Sequence, residues 1–177
     1  MKTTRMAALS LVLLIALAAA PHARGPRFYA TTLAPIEEVP ALSSDATGTF
    51  VIDIDEDAGT AHYELSYDLI GTTVLQAHIH VGQFSVNGGI MVFLCGSPAS
   101  PGPAGTPACP LSPGGTVSGD LAAAQVIGPA GQGVAAGEFD EFLRAIRNDV
   151  AYANVHSSRF PGGEIRGQLE QRAAPGQ

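Results

Sequence analysis

Lysine is almost missing from this chain: Lys2 is the only one, and it stands in the first few residues. If the segment carrying Lys2 and Arg5 is removed, seven arginines remain against sixteen acids, a formal balance of −9. That excludes the dense cationic footprint on which nucleic-acid binding rests, and the acidic surface is read first as a solubility device. Tryptophan is absent and aromatics make up only 6% of the chain, so Val, Ile, Leu and Ala must fill any core. Past the first twenty residues no hydrophobic run is long enough to cross a bilayer, which leaves no membrane anchor once that segment is gone. Only two cysteines are present, too few for a disulfide-built miniprotein or a thiolate metal cluster. Missing too are a Gly-x-Ser-x-Gly elbow, a phosphate-binding glycine loop and a dinucleotide fingerprint.

The N-terminal segment has the makings of a secretory signal. Lys2 and Arg5 precede the apolar run Met6 to Ala20, and Ala16-Leu17-Ala18 offers a small-residue cleavage site before Ala19. The expected organisation is a signal peptide over 1–18, a flexible stretch over 19–27 that includes His22, one domain over 28–170 and a polar tail over 171–177. A secreted or periplasmic setting follows, oxidising enough for Cys95 and Cys109 to pair. These cysteines bracket a Pro/Gly/Ala/Ser segment without periodicity, and closing it would contribute about 3 kcal/mol in the loop-entropy model.

The domain alternates like a chain of strands. Phe50, Ile52 and Ile54 share one face of Gly48 to Asp55, and Ala61, Tyr63, Leu65 and Tyr67 share one face of Thr60 to Tyr67. Glu56-Asp57-Ala58-Gly59 between them reads as a hairpin turn. Phe28 to Leu33, Val74 to Val81, Gly89 to Leu94, Gly115 to Gly119, a weaker run at Ala124 to Ile127, Ala151 to His156 and Glu164 to Leu169 complete the set. One amphipathic helix stands out near 138–148, with Phe139, Phe142, Leu143 and Ile146 at i, i+3, i+4 and i+7. The predicted fold is all-β: a two-layer antiparallel β-sandwich, immunoglobulin-like or superoxide-dismutase-like, covered by that single helix.

The chemistry lies in three histidines. In Gln76-Ala-His-Ile-His-Val-Gly82 the period of two sends His78 and His80 from the same face, roughly 6–7 Å apart. Two neutral nitrogen ligands on a rigid strand are half of a transition-metal site. His156, in another strand-like run, could supply the third. The competing reading is that these rings only donate hydrogen bonds at a strand junction. Asn154, Glu164 and Arg166 form a neighbouring polar cluster, in which Glu164 either orients a ligating histidine or only makes a cross-strand ion pair. Asp53, Asp55, Asp57 and Glu64 imitate a calcium loop, but the glycine is displaced and the flanks alternate as strands, so a solvated hairpin tip is expected. His62 is read as simply exposed.

Ala77-His-Ile-His-Val-Gly82, Asn87-Gly-Gly-Ile-Met-Val-Phe-Leu94, Phe142-Leu-Arg-Ala-Ile146 and Ala151-Tyr-Ala-Asn-Val-His-Ser-Ser-Arg-Phe-Pro-Gly-Gly-Glu-Ile-Arg-Gly-Gln-Leu169 together resemble the CHRD domain, first noticed in chordin and widespread in exported bacterial proteins. The resemblance spans about Phe28 to Glu170. It implies an immunoglobulin-like sandwich and an extracellular setting, and no settled activity. The His-x-His strand is also similar to the copper-ligand strand of copper/zinc superoxide dismutases. Those enzymes carry further histidines and a zinc-site aspartate, and end on a Gly-x-Arg-x-x-Cys pattern that this chain lacks. The expectation is therefore an exported binding module, non-enzymatic, whose partner is a protein, a matrix component or a metal ion. The alternative is a copper or zinc metalloprotein at His78, His80 and His156 with redox or dismutase-like activity.

Overall fold

The computed structural model describes residues 27–174. The signal-peptide reading over 1–18 and the stretch around His22 lie outside those residues. Among the described residues nine strands form two antiparallel sheets: β1 (Phe28–Leu33), β2 (Thr47–Asp55), β3 (Thr60–Asp68), β4 (Val74–Val81), β5 (Gly89–Gly96), β6 (Gly115–Leu121), β7 (Ala151–Ser157), β8 (Ile165–Gln168) and β9 (Glu170–Gln171). One sheet runs β6-β3-β2-β1-β9 and the other β5-β4-β7-β8. The all-β sandwich expected from the alternation is what the chain adopts.

Strand register follows from which side chains can be kept dry. Phe50, Ile52, Ile54, Tyr63 and Leu65 of the five-stranded sheet face Ala77, Ile79, Ala153, Val155 and Ile165 of the other, all essentially inaccessible to water. Tyr63 can enter this core because its hydroxyl donates to the Leu94 carbonyl at 2.5 Å. The β2–β3 hairpin turns where expected: Asp55 Oδ1 accepts the backbone N–H groups of Asp57 and Ala58, both at 3.1 Å, and Gly59 adopts φ +64°.

The helix α1 (Phe139–Arg147) buries Phe139, Phe142, Leu143, Ala145 and Ile146. Acids occupy its first turn and Arg144 and Arg147 its last, in the sense the macrodipole favours. Arg147 also pairs with Glu56. Cys95 and Cys109 are bonded, closing the Pro/Gly segment over the edge of β5. Among the described residues no helix is long and apolar enough to cross a membrane.

One segment differs from the sequence reading. The weak run around Ala124 to Ile127 is not a strand: Ala123–Gln125 is a 3-10 turn closed by Gln125 Oε1 on the Ala122 N–H. One buried side chain, Val126, gives that stretch its apolar look. After Leu169 the short strand β9 follows, with Gln171 opposite Tyr29 of β1.

Candidate metal centre

Alternation on β4 sends Ala77 and Ile79 into the core and Gln76, His78 and His80 to the outer face of the four-stranded sheet. Register on β7 places Asn154 opposite His78, Tyr152 opposite His80 and His156 opposite Gln76. Three imidazoles thus converge on adjoining strands. Their centroids are separated by 5.3 Å (His78–His80), 4.8 Å (His78–His156) and 6.0 Å (His80–His156). One nitrogen from each lies within 4.8 Å of the others. Nitrogens bound to zinc at about 2.0–2.1 Å sit about 3.4 Å apart in a tetrahedron, so a modest inward shift closes the triangle on an ion.

Outer faces of sandwiches are normally wet, yet His78, His80 and His156 are only 2%, 7% and 9% exposed. Two connections are tied to the same face by hydrogen bonds. The β4–β5 loop is fastened by Arg166, which donates to the Gln83 and Val86 carbonyls and to Asn87 Oδ1 at 3.1, 2.8 and 3.2 Å. Asn87 Nδ2 in turn donates to the Val39 carbonyl at 2.9 Å, joining that loop to the β1–β2 connection. From the same connection Glu38 accepts the Asn154 amide at 2.6 Å. Aromatic rings line the centre: Phe93 meets His78 edge-on at 4.4 Å, and Tyr152 stacks parallel to His80 at 4.8 Å. The Arg166 guanidinium lies over Tyr152, 3.4 Å from its centroid.

Hydrogen-bond partners fix two tautomers. His80 Nδ1 faces the Gly88 carbonyl at 3.0 Å and His156 Nδ1 the Pro161 carbonyl at 3.0 Å. A carbonyl only accepts, so each Nδ1 carries the hydrogen and each Nε2 the lone pair, the arrangement that prepares histidine for a metal. Gly88 is required there, since a Cβ on it would stand 1.6 Å from the Val81 carbonyl oxygen. His78 Nδ1 lies 3.1 Å from the lone pair of His156 Nε2 and donates to it. That leaves His78 Nε2 and His80 Nε2 buried without any hydrogen-bond partner.

Electrostatics keep the rings neutral. Burial, reinforced by the other two imidazoles, pushes His78 far below the ordinary histidine value. Burial brings His80 down to about 4, against the opposing pull of the Gly88 carbonyl. His156 is lowered by burial as well, in spite of its bond to Pro161. Glu38 moves the other way, up to about 7, because burial outweighs the help of Asn154 and Arg166.

The remaining residues singled out in the sequence are dispersed. Asn154 and Arg166 stand opposite each other as their register requires. The Arg166 guanidinium is taken up by the β4–β5 loop and the Tyr152 face. Glu164 is buried but outside the ligand group; it lines a pocket with Thr72 and Arg159, and the Pro161 carbonyl, not a carboxylate, orients His156. His62 projects from β3 on the other sheet and pairs with Asp120 at 2.7 Å. Sequence reasoning missed Glu38, Phe93 and Tyr152. Tyr152 was reachable, being two and four residues before Asn154 and His156 on the same face; Glu38 comes from an irregular segment with no periodicity to follow.

The model of the CHRD domain matches residues 29–169. The chain belongs to the CHRD family. The match covers both sheets up to Leu169 and all three histidines. Comparison with curated proteins and with solved structures finds no significant match in either. The CHRD assignment therefore carries the fold, and the chemistry has to be argued from the buried imidazoles.

Proposed function

We propose that this CHRD chain is an exported metal-binding module in which His78, His80 and His156 hold one copper or zinc ion. The observation that carries the reading is the pair of buried, partnerless lone pairs at His78 Nε2 and His80 Nε2 within a three-histidine group. A buried acceptor with no donor costs about 1–3 kcal/mol, and a cation is the partner that satisfies several converging lone pairs at once. The carbonyl-fixed tautomers of His80 and His156 support it further. A bound ion would supply a positive charge for these lone pairs and, by replacing the His78 Nδ1 hydrogen bond on His156 Nε2, would take up the third lone pair and cross-link β4 to β7.

Binding without turnover is the form of the reading that burial supports. Rings under Phe93, Tyr152 and two connecting loops leave little room for a substrate to reach an ion. Export is supported by the signal-like first eighteen residues and by the Cys95–Cys109 bond. The test is metal content: apo-protein is incubated with Zn(II) or Cu(II), dialysed and assayed by elemental analysis. One equivalent retained by the native chain and lost in His80→Ala, but kept in His62→Ala, is the expected result. Retention that ignores all three buried histidines would overturn the assignment.

A further inference from the structure

The charge and number of the ligands allow a finer statement about the ion. Resting on the reading of the three histidines as a metal site, we infer that the centre selects copper(I) over zinc(II) and copper(II). The group that comes together consists of imidazoles alone, with no carboxylate or thiolate among its members. Three neutral ligands leave an ion's full charge in place: +1 for copper(I), +2 for the alternatives. The desolvation penalty of a buried ion scales with the square of its charge, so a dication costs about four times as much as a monocation of similar size. With the rings almost inaccessible to water, that factor dominates.

The formal charge stacked behind His80 is also positive. The Arg166 guanidinium is stacked on Tyr152, and Tyr152 on His80, in a single column. Its field opposes an added dication more than a monocation. Of the buried carboxylates of this region, Glu38 accepts the Asn154 amide, and Glu164 lines a separate pocket with Thr72 and Arg159, its Oε2 without a hydrogen-bond partner. Neither belongs to the ligand group.

Coordination number points the same way. Zinc completes a tetrahedron with a fourth ligand, and copper(II) prefers a tetragonal set. Copper(I) is content with three. Beside the imidazoles stand the ring of Phe93 and the face of Tyr152. Thiolates and thioethers are the usual selectors of copper(I); here selection comes from charge and ligand count.

The experiment is a competition on the full apo-chain under anaerobic conditions. Copper(I) is presented with the chromophoric chelator bicinchoninate, and zinc(II) is then added in about tenfold excess. The inference expects one copper(I) per chain that zinc does not displace, with affinity falling at least about a hundredfold in His80→Ala. The variant His78→Asp replaces a neutral ligand by an anionic one and should raise zinc affinity relative to copper(I) by at least about tenfold. Displacement of copper(I) by zinc through the same histidines would overturn the selectivity while leaving the metal site standing, as would an unchanged ratio in His78→Asp. Failure of every ion to bind, or binding indifferent to His80, would overturn both.

Discussion

The two sheets present outer faces built by the same alternation and put to opposite uses. On the five-stranded sheet Thr32, Thr49, Ser66 and Thr116 form one cross-strand row, His62 and Asp120 belong to another, and most of these groups meet water. On the four-stranded sheet His78, His80, Asn154, His156 and Arg166 occupy the equivalent outward positions and are sealed in. The His62 side chain is 61% exposed with a carboxylate at hand, whereas His80 is buried with a bare lone pair. Alternation decides which side chains turn away from the core. Whether they are wet is decided by the loops, and among the described residues it is the histidine face that has loops fastened to it.

The largest way to break this contrast is to unfasten the cover. Arg166→Ala removes the cation on Tyr152 and strips donors from the Gln83 and Val86 carbonyls. A loss on the order of 3 kcal/mol in denaturant unfolding is expected, and with it faster amide exchange in residues 82–88. Thr49→Ala on the open face should stay within about 0.5 kcal/mol. Equal losses would mean that the covered face is not under special constraint.

Acid should separate the faces next. An unfolded His80 takes a proton near pH 6.5, whereas the folded ring does so only near 4. Protons therefore favour the unfolded chain, and stability conferred by the neutral ring is present above pH 6.5 and lost as pH falls toward 4. The contribution of His80 alone is about 3 kcal/mol, with His78 and His156 acting in the same direction. Glu38 acts oppositely: its raised value stabilises below about pH 4.5 and is lost as pH rises through about 7. Melting of the apo-protein across pH 7 to 4 should thus show a fall, and Glu38→Gln should steepen it. A stability that rises steadily on acidification would contradict the neutral-histidine account.

Glycines sharpen the comparison at smaller scale. A Cβ on Gly163 would stand 2.6–2.8 Å from the Glu38 carboxylate and the Asn154 amide, at φ +132°. Gly163→Ala is expected to cost about 2 kcal/mol or more. Gly59→Ala, at the open hairpin tip with φ +64° and nothing within 4 Å, carries only the conformational strain, about 1 kcal/mol. Paired thermal melts read both.

How far the sequence could be read follows from the same division. Strands such as Val74–Val81 and the helix at Phe139–Arg147 were legible because burial on one side writes a period of two or 3.6 into the residues. The shared face of His78 and His80 came from that period too. Convergence of His156 did not, because it depends on the register between β4 and β7, which strand patterning leaves open. Glu38 was invisible for a different reason: it reaches Asn154 from an irregular segment, across 116 residues of sequence. Arg166 was placed on the right face, opposite Asn154, but its loop acceptors were not legible, since carbonyls of a loop leave no trace in composition.

Whether the covered face is a metal centre is tested most directly by melting apo-protein with increasing copper or zinc. An ion that binds only the folded chain raises stability by RT ln(1 + [L]/Kd), about 2.7 kcal/mol at a hundredfold excess over Kd. The account predicts such a rise in the native chain and in His62→Ala, and its disappearance in His80→Ala. A melting curve that stays put at large metal excess would contradict it.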